Sequence, residues 1–405
     1  MLFQALDNKK ECVGIYCNGE LLFSDLQMSA LTATWDYSQL LENQEQIEYA
    51  HLYCGKTLDE ACPEHLDTLW EDSKQKLRAF LRSFHEAKLS LDDNCFYDLV
   101  PDQFLMEYYE CRNKITNYVL NNYERPDNYE FLANLTRVTN QIATNKLNID
   151  KSSLRPLMYK LKVRNFMKKL DIVRPYVEYN IFGTKTGRLT TKKNTFPILT
   201  LDKEYRRILK PANDWFVELD FNAAELRTML ALSGLQQPQE DIHEWNIKNV
   251  FKENITRDEA KTRIFAWLYG SEKESKRLST IDAKEILRQT YQREGIVSKH
   301  WTGSHVRTRF GRTIPSDNHH ALSYIIQSSC VDNVNRQLIK IHDRLANNTT
   351  RVAFTLHDSI VLDVPNAERG LIPELIKLFS NTDLGNFKVN ISAGKNFGNL
   401  KRLNL

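Results

Sequence analysis

The chain of 405 residues has no apolar run of about 18 residues, the length that a helix needs to span a membrane. Its first ten residues lack the apolar core and the cleavage site of a signal peptide, and no Arg-rich, acid-poor targeting sequence is visible. Internal repeats and low-complexity tracts are also absent from the sequence. We therefore expect a cytoplasmic protein that has no membrane partner.

Cysteine is scarce, and its spacing matches no common metal or redox motif. The seven cysteines are Cys12, Cys17, Cys54, Cys62, Cys95, Cys111 and Cys330. No two of them form a C-x-x-C pair, and their number is odd. This pattern does not favour a zinc site or a disulfide framework, and we expect reduced, buried thiols.

The net charge of +3 conceals an uneven distribution along the chain. Residues 1–150 carry 25 acidic and 13 basic side chains, whereas residues 151–405 carry 27 and 42. Residues 151–169 alone contain seven Lys and Arg and no acid. The second part of the chain is therefore the candidate for binding nucleic acid, although an uneven solvated surface would give the same count.

The apolar pattern changes along the chain. Cys12–Cys17 and Leu21–Phe23 are strand-like and are joined by the turn dipeptide Asn18-Gly19. From about Leu66 to Lys146 the apolar residues recur at helical spacing, with a break at residues 125–128. The helical spacing is carried by Trp70, Leu77, Phe80, Leu81 and Phe84.

Asp220 ends a strand-like run that starts at Trp215. Asn222 is positioned to cap a helix that ends near Gly234, and Glu225 would then be its capping-box partner. An acid at the end of a strand is common in ordinary α/β proteins, so Asp220 is only a modest candidate by itself.

A second acid, Asp358, lies between the strand-like segments 352–356 and 360–364. A tight hairpin favours Asn-Gly or Asp-Gly at its tip, and His357-Asp358 is a poorer turn former. The pair therefore suggests side chains that are retained for chemistry.

The segment between the two acids predicts a helix with one cationic and aromatic stripe. Thr256 and Glu259 form a capping box, and Gly270 would end the helix. The stripe consists of Arg257, Lys261, Phe265 and Tyr269, which are spaced by four residues. Cations at a helix N-terminus suit a bound triphosphate, although a surface helix with a buried aromatic seam has the same pattern.

Together these segments predict phosphoryl transfer. Two carboxylates could hold two Mg²⁺ ions, with Mn²⁺ as an alternative, and the cationic helix could orient a triphosphate. Such a reaction needs mainly positioning and charge neutralisation.

Six segments, in this order, resemble those of family A DNA polymerases (the DNA polymerase I family), and in particular its bacteriophage branch. They are Thr186–Thr191, Leu219–Arg227 (motif A), Asp241–His243, Arg257–Gly270 (motif B), Phe310–Pro315 with Ile326–Ser328, and Leu356–Asp358 (motif C). The resemblance extends from about Leu154 to Leu400.

The resemblance implies a role for each matching residue. The metal ligands would be Asp220, Phe221 and Asp358, and the catalytic residues Asp220, Asp358 and Lys261. Glu225 would be the steric gate that excludes a ribose 2′-OH. Residues that contact the dNTP would be His243, Arg257, Lys261, Phe265 and Tyr269, and those that contact primer–template DNA would be Arg188, Gln327 and His357.

The implied fold is α/β (α+β), a right-hand polymerase architecture with an antiparallel-sheet palm, helical fingers and a helical thumb. We expect a small β-containing region at 1–60, a thumb-like helical region at 61–155, the palm at 156–234 and 319–405, and the fingers at 235–318. The acidic N-terminal portion is expected to bind a protein, for which a separate exonuclease or a processivity factor is the candidate. A phage-encoded chain would work in the bacterial host cytoplasm.

The sequence departs from the family pattern in three places. Ser359 stands where an acid usually follows His-Asp, which weakens the expected activity without excluding it. Phe265 replaces the tyrosine of some phage relatives, which implies discrimination against dideoxynucleotides. A 3′–5′ exonuclease needs about four metal-binding carboxylates spread over roughly 150–200 residues, so we expect none in this chain.

Two other functions remain open. Single-subunit RNA polymerases share related motifs, including His-Asp-Ser, but Glu225 and the Thr186–Arg188 segment favour DNA synthesis. A catalytically weak, polymerase-like DNA-binding accessory subunit is the third candidate, and Ser359 is its only support.

Overall fold

A computed structural model describes residues 1–7, 14–23, 28–41, 46–91, 93–269 and 281–403. These residues form two units, Met1–Gln141 and Ile142–Leu405. The strands are β1 Phe3–Ala5, β2 Ile15–Cys17, β3 Glu20–Leu22, β4 Ala33–Thr34, β5 Glu48–Tyr49, β6 Asn148–Ile149, β7 Tyr179–Asn180, β8 Thr190–Thr191, β9 Leu209–Lys210, β10 Trp215–Phe221, β11 His305–Arg307, β12 Thr313–Pro315, β13 Arg351–Leu356, β14 Ser359–Val364, β15 Asn381–Thr382, β16 Gly385–Asn386, β17 Val389–Gly394 and β18 Lys401–Leu403.

The α-helices of the described residues are α1 Ala50–Cys54, α2 Leu58–Ala61, α3 Asp67–Glu86, α4 Asp102–Asn122, α5 Tyr129–Ala143, α6 Leu161–Leu170, α7 Ala224–Leu232, α8 Ile242–Asn246, α9 Arg257–Tyr269, α10 Ile281–Tyr291, α11 Arg293–His300, α12 Asn318–Arg344 and α13 Ile372–Ser380. Short 3₁₀ helices occupy Met28–Ala30, Gln39–Leu41, Glu64–Leu66, Phe96–Asp98, Lys151–Leu157, Ile198–Thr200, Lys203–Ile208 and Asn366–Leu371, and a π-helical turn occupies Ile247–Phe251. Among the described helices, none combines the length and apolarity that crossing a bilayer requires.

The first unit combines a small antiparallel sheet, β1-β2-β3, with the long helices α3 and α4. The predicted Asn18-Gly19 turn joins β2 and β3, and both residues have positive φ. The predicted break near 125–128 lies between α4 and α5. Trp70 and Phe84 are buried as their spacing predicts, but Leu81 is 39% exposed and lies outside the core because α3 covers the core with only one face.

The expectation of reduced thiols is wrong at one position. Cys95 is disulfide-bonded, whereas five cysteines are free. Among the described cysteines, the free residues are Cys17, Cys54, Cys62, Cys111 and Cys330. Sequence spacing alone could not reveal this pair, because the fold determines which thiols meet.

The second unit is built on a five-stranded antiparallel sheet with the order β13-β14-β10-β17-β18. Strand β10 is central because it pairs with β14 on one side and β17 on the other, and its apolar and polar residues alternate from Val217 to Phe221. Helix α13 packs on β10 and β17, and the ring of Phe221 stacks on Phe379 of α13 at 4.2 Å between centroids.

Helices α7 to α12 of the second unit enclose a separate apolar cluster. Its buried members include Leu226 of α7, Ile264 of α9, Leu287 of α10 and Ile325 of α12. A mixed structure of helices and an antiparallel sheet confirms the predicted fold class. The finer subdomain bounds (1–60, 61–155, 156–234, 235–318 and 319–405) remain predictions.

Candidate active site

The sheet brings the two predicted metal-binding acids together. Asp220 in β10 is paired with Ser359, the first residue of β14, and Asp358 immediately precedes it at the hairpin tip. The main-chain N–H of Phe221 points to the carbonyl oxygen of Asp358 at 3.5 Å. His357 at the tip has a φ of 53°, a left-handed conformation that non-glycine residues rarely adopt. The predicted hairpin is confirmed, and its tip lies beside the end of β10.

Burial and neighbouring acids raise the pKa of Asp220 to about 6. The largest cause is desolvation, and the charges of Glu218 and Asp358 add to it. Two groups oppose the shift: the Asn390 side-chain amide, which donates to Asp220 Oδ2 at 3.2 Å, and the Lys261 ammonium. Burial also raises the pKa of Asp358, against the charge of Arg188. The pair thus concentrates negative charge where little water stabilises it.

This donor set fits magnesium. Within the described residues no three His, Cys, Asp or Glu side chains converge as a metal-binding group. Mg²⁺ is usually held by one or two carboxylates together with water and substrate phosphates, rather than by an all-protein cage. Asp220 and Asp358 meet that requirement. Phe221 could add only its main-chain carbonyl, because its ring is buried against Phe379.

The predicted capping box at Asn222 and Glu225 is wrong. Helix α7 begins after Ala223, which has a φ of 49° and makes no side-chain cap. The Glu225 carboxylate instead accepts from Arg188 Nη2 at 2.8 Å and from the Tyr269 hydroxyl at 2.9 Å. These tertiary hydrogen bonds satisfy the carboxylate better than the helix end would, and they fix Glu225 between α9 and the Thr186–Thr191 segment.

Asn222 has a different function from the predicted cap. The side-chain Nδ2 of Asn222 donates to Asp241 Oδ2 at 2.7 Å, and its side-chain Oδ1 accepts from the main-chain N–H of Ile242 at 3.1 Å. Asp241 in turn caps α8 through the main-chain N–H groups of His243 and Glu244. The end of β10 is thereby joined to the start of α8.

The Arg257 guanidinium is held by Asp241, with Nη2 to Oδ2 at 2.9 Å and Nε to Oδ2 at 3.1 Å. The sequence predicted that Arg257 contacts the triphosphate, and it did not predict this ion pair with Asp241. The Arg257 side chain is still 42% exposed, so it remains accessible to an anion. His243 is buried beside this pair, and desolvation lowers the pKa of His243 to about 4.

Helix α9 confirms the predicted capping box, because Thr256 and Glu259 exchange hydrogen bonds at its start. The predicted stop at Gly270 lies outside the described residues. Lys261 is exposed, and its positive charge acts to lower the pKa of both Asp220 and His243. One and two turns further, the rings of Phe265 and Tyr269 stack at 6.1 Å. Burial and the adjacent Glu225 carboxylate raise the pKa of Tyr269, which therefore acts as a hydroxyl donor.

Two of the three predicted DNA contacts lie beside Asp358. Arg188, His357 and Asp358 line a small cavity that Val331 of α12 also lines. Gln327 is one helical turn before Val331 and therefore lies on the same side of α12. Desolvation and the guanidinium groups of Arg188 and Arg206 lower the pKa of His357, which favours its neutral form.

Gly187, which precedes Arg188, has a φ of 81° and is packed against the Arg312 side chain. A Cβ at this position would lie 2.6 Å from the Arg312 guanidinium carbon. Arg312 is itself fixed by the buried Asp332 at 2.7 Å. The close approach explains why glycine is needed there, and it joins two segments that the sequence analysis treated separately.

Sequence reasoning missed several residues at the site. Asn390 holds Asp220 and accepts from Arg402 at 2.9 Å, and Glu218 accepts from Ser359 at 3.1 Å. The alternation of β10 places Glu218 on the face of Asp220, which is the one signal that could have identified it. Asn390 and Arg402 lie far along the chain in β17 and β18, and only strand pairing brings them near.

The chain is similar to known polymerases in sequence and in fold. No protein-family model matches the sequence. A DNA polymerase of Mycobacterium phage L5 is 29% identical over 192 residues, which cover 39% of this chain and 31% of that relative. This chain thus matches about a third of the length of the phage protein.

The solved POL domain of Pol1 from M. smegmatis, in complex with DNA primer-template and dNTP, has a similar fold. The TM-score is 0.64 at 14% identity, over 87% of this chain and 82% of that one. The chain therefore has the fold of a DNA polymerase domain, and these similarities confirm the resemblance to the bacteriophage branch of family A DNA polymerases that its motifs predicted.

Proposed function

We propose that this chain is a template-directed DNA polymerase that extends a primer 3′-OH with dNTPs by two-metal phosphoryl transfer. The observation that carries the proposal is the pairing of Asp220 with the hairpin tip that bears Asp358, and the charge of the exposed Lys261 of α9 acts on Asp220. The named activities of the similar phage and mycobacterial proteins support it.

In this proposal Asp220 and Asp358, with the main-chain carbonyl of Phe221, hold two Mg²⁺ ions. The bound ions would activate the primer hydroxyl and neutralise the leaving pyrophosphate. Mn²⁺ would satisfy the same oxygen donors. The charge of Lys261 in α9 acts on Asp220, so a triphosphate bound beside them would be neutralised from the protein side as well.

The other residues orient the nucleotide. Arg257 would share its guanidinium between Asp241 and the triphosphate, and the neutral His243 would donate one ring N–H to a phosphate oxygen. Phe265 would stack on the incoming sugar and base, and Tyr269 would lie at the insertion site. Glu225, held from two sides, would exclude a 2′-OH from the sugar pocket.

Primer–template DNA would lie against Arg188, Gln327 and His357. Arg188 and His357 line the cavity beside Asp358, which suits a primer terminus, and Gln327 lies one helical turn before Val331 of the same cavity. The basic stretch at 151–169 would contact the DNA backbone, since Lys162, Lys168 and Lys169 are exposed and make no ion pair among the described residues.

The test is primer extension by the purified chain, with and without Mg²⁺, using matched and mismatched primers. We expect extension that Asp220→Asn and Asp358→Asn reduce by about 10³-fold or more, since each removes a metal ligand. Asp383→Asn is the matched control, because the ion pairs of Asp383 within the described residues are with Lys340 and Arg336. Unchanged extension by the two active-site variants would refute the metal assignment.

The single-subunit RNA polymerase is tested in the same assay with rNTPs, whose efficient use would favour it over DNA synthesis. A complete lack of extension by a chain that still binds primer–template would favour the accessory subunit. Shortening of the mismatched primer would contradict the expectation that this chain has no proofreading exonuclease.

We further propose that the chain works in the cytoplasm of a bacterial host and that its first unit binds a protein, with a separate exonuclease or a processivity factor as the candidate. Residues 1–141 carry 24 acidic and 12 basic side chains, a balance that disfavours DNA. A variant that lacks this unit should lose a partner that the full chain captures. Capture of the same partners by both would contradict the proposal.

A further inference from the structure

Ser359 follows Asp358 at the position where the resembled family has an acid. The serine is buried, and its hydroxyl lies 3.0 Å from the carbonyl oxygen of Leu356 and 3.1 Å from Oε1 of Glu218. The hydroxyl carries no charge, so position 359 adds none to the site. It is, however, in direct contact with a carboxylate that comes from another strand.

Glu218 and Asp220 are two residues apart in β10, so their side chains extend from the same face of the sheet. Asp220 is paired with Ser359, and Glu218 is paired with Val361 in the same register. The Glu218 carboxylate therefore reaches diagonally across to Ser359, beside the metal-binding pair. Glu218 is absent from the residues that the sequence analysis selected.

The charge of Glu218 has no cationic partner in the part of the chain that the structure describes. Among the described residues no Lys, Arg or His forms an ion pair with Glu218, although the side chain is partly buried. Its negative charge acts on Asp220 in the same direction as the charge of Asp358. An uncompensated, partly buried carboxylate beside two others is unfavourable unless a cation shares the site.

We propose that Glu218 supplies from strand β10 the third carboxylate of the metal site, in place of the acid that position 359 lacks, and that Ser359 positions it. The proposal rests on the proposed two-metal function. Because no three His, Cys, Asp or Glu side chains of the described residues converge into one cage, Glu218 would support a hydrated Mg²⁺ from outside the two main ligands. The Ser359 departure is thereby an exchange of position rather than a loss of charge.

The test measures Mn²⁺ binding to the full chain without DNA or dNTP, by the electron paramagnetic resonance signal of the free ion. We expect Glu218→Gln to weaken Mn²⁺ affinity by about 10-fold, at the lower end of the range for supporting groups around a metal. Glu285→Gln is the matched control, since Glu285 is an exposed glutamate of α10, and it should leave the affinity unchanged. Circular dichroism and melting temperature establish that each variant is folded.

Two variants that retain a negative charge distinguish a role of Glu218 in metal binding from a purely structural role. Glu218→Asp keeps a carboxylate on β10, and the double variant Glu218→Gln with Ser359→Glu moves it to β14. Recovery of affinity by either variant relative to Glu218→Gln supports the proposal. Unchanged affinity in Glu218→Gln, or a loss that neither variant recovers, would overturn it.

Asp220→Asn is measured in parallel, because it distinguishes this proposal from the function on which it rests. If Asp220→Asn weakens Mn²⁺ binding and Glu218→Gln does not, only the role of Glu218 is wrong. If Asp220→Asn also has no effect, the metal assignment of the proposed function is wrong as well.

Discussion

Glu225 illustrates how one side chain acquires its role from contacts that are remote in sequence. Arg188 and the Tyr269 hydroxyl hold its two carboxylate oxygens, so the side chain is fixed beside the expected position of the nucleotide sugar. A gate must be rigid to exclude an atom, and these two contacts provide that rigidity.

Replacing Glu225 with Ala should open the sugar pocket and lower the discrimination against ribonucleotides. We expect the ratio of kcat/KM for dNTP and rNTP to fall by about 10–100-fold, as for other sites that select by shape. Glu285→Ala is the control, because Glu285 is an exposed glutamate of α10, and it should leave the ratio unchanged. A ratio that stays constant in Glu225→Ala would refute the gate.

The burial of His243 makes the stability of the folded chain depend on pH. Desolvation lowers the pKa of His243 from 6.5 to about 4 in the folded chain, whereas the unfolded chain takes up the proton near its ordinary value. The unfolded state therefore binds more protons between about pH 4 and 6.5, so acidification through this window favours unfolding.

We expect His243→Gln to reduce the loss of stability on acidification from pH 7 to pH 4 by roughly 3 kcal/mol, because glutamine cannot take up the proton. Urea unfolding at a series of pH values measures the effect. His319→Gln, on an exposed histidine, should leave the pH dependence as it is. The same dependence in His243→Gln and the unsubstituted chain would contradict the burial argument.

At the scale of secondary-structure elements, Asp241 joins three of them. It caps α8, accepts from Asn222 after β10 and binds Arg257 at the start of α9. A single carboxylate thus connects the starts of α8 and α9 to the end of the strand that bears Asp220.

Asp241→Ala should lower the free energy of unfolding by about 3 kcal/mol, through the lost helix cap and the lost hydrogen bonds. The ion pair adds less than a fully buried one would, because Arg257 is half-exposed. Glu240→Ala is the neighbouring control, since Glu240 pairs only with the exposed Lys248 and should change stability by less than about 0.5 kcal/mol. If urea unfolding shows the same loss of stability for Asp241→Ala and Glu240→Ala, Asp241 does not join these elements.

At the scale of the whole molecule, charge is divided between the two units. The first unit has twice as many acids as bases, whereas residues 142–405 carry 28 acids and 43 bases. The basic stretch at 151–169 contributes to this excess, although part of it is neutralised. Lys151 pairs with Asp171 and Lys160 pairs with Glu204.

The joint replacement of Lys162, Lys168 and Lys169 by Gln should weaken binding to primer–template and flatten its dependence on salt. The slope of log affinity against log salt should fall in magnitude by up to about 3, near one unit for each lost phosphate contact. Replacing Lys56, Lys76 and Lys114 of the acidic unit removes the same charge and should leave the slope unchanged. Equal slopes for both triple variants would show that the basic stretch does not contact DNA.

The sequence by itself determined the local structure of this protein and the chemistry it favours. Alternation predicted β10 and the hairpin that bears Asp358, and four-residue spacing with a capping box predicted α9. These features depend on neighbours within a few residues, and the order of the motifs was enough to indicate a polymerase.

Only the tertiary structure decided which groups meet. Glu225 was predicted to cap its own helix, yet it binds residues 37 and 44 positions away, because two charged or polar partners satisfy a buried carboxylate better than a helix end does. The contact between Glu218 and Ser359 spans 141 positions and exists because the register of two antiparallel strands places them on one face. Local pattern cannot encode such a register, so the third carboxylate that the sequence lacks at position 359 becomes visible only in the folded sheet.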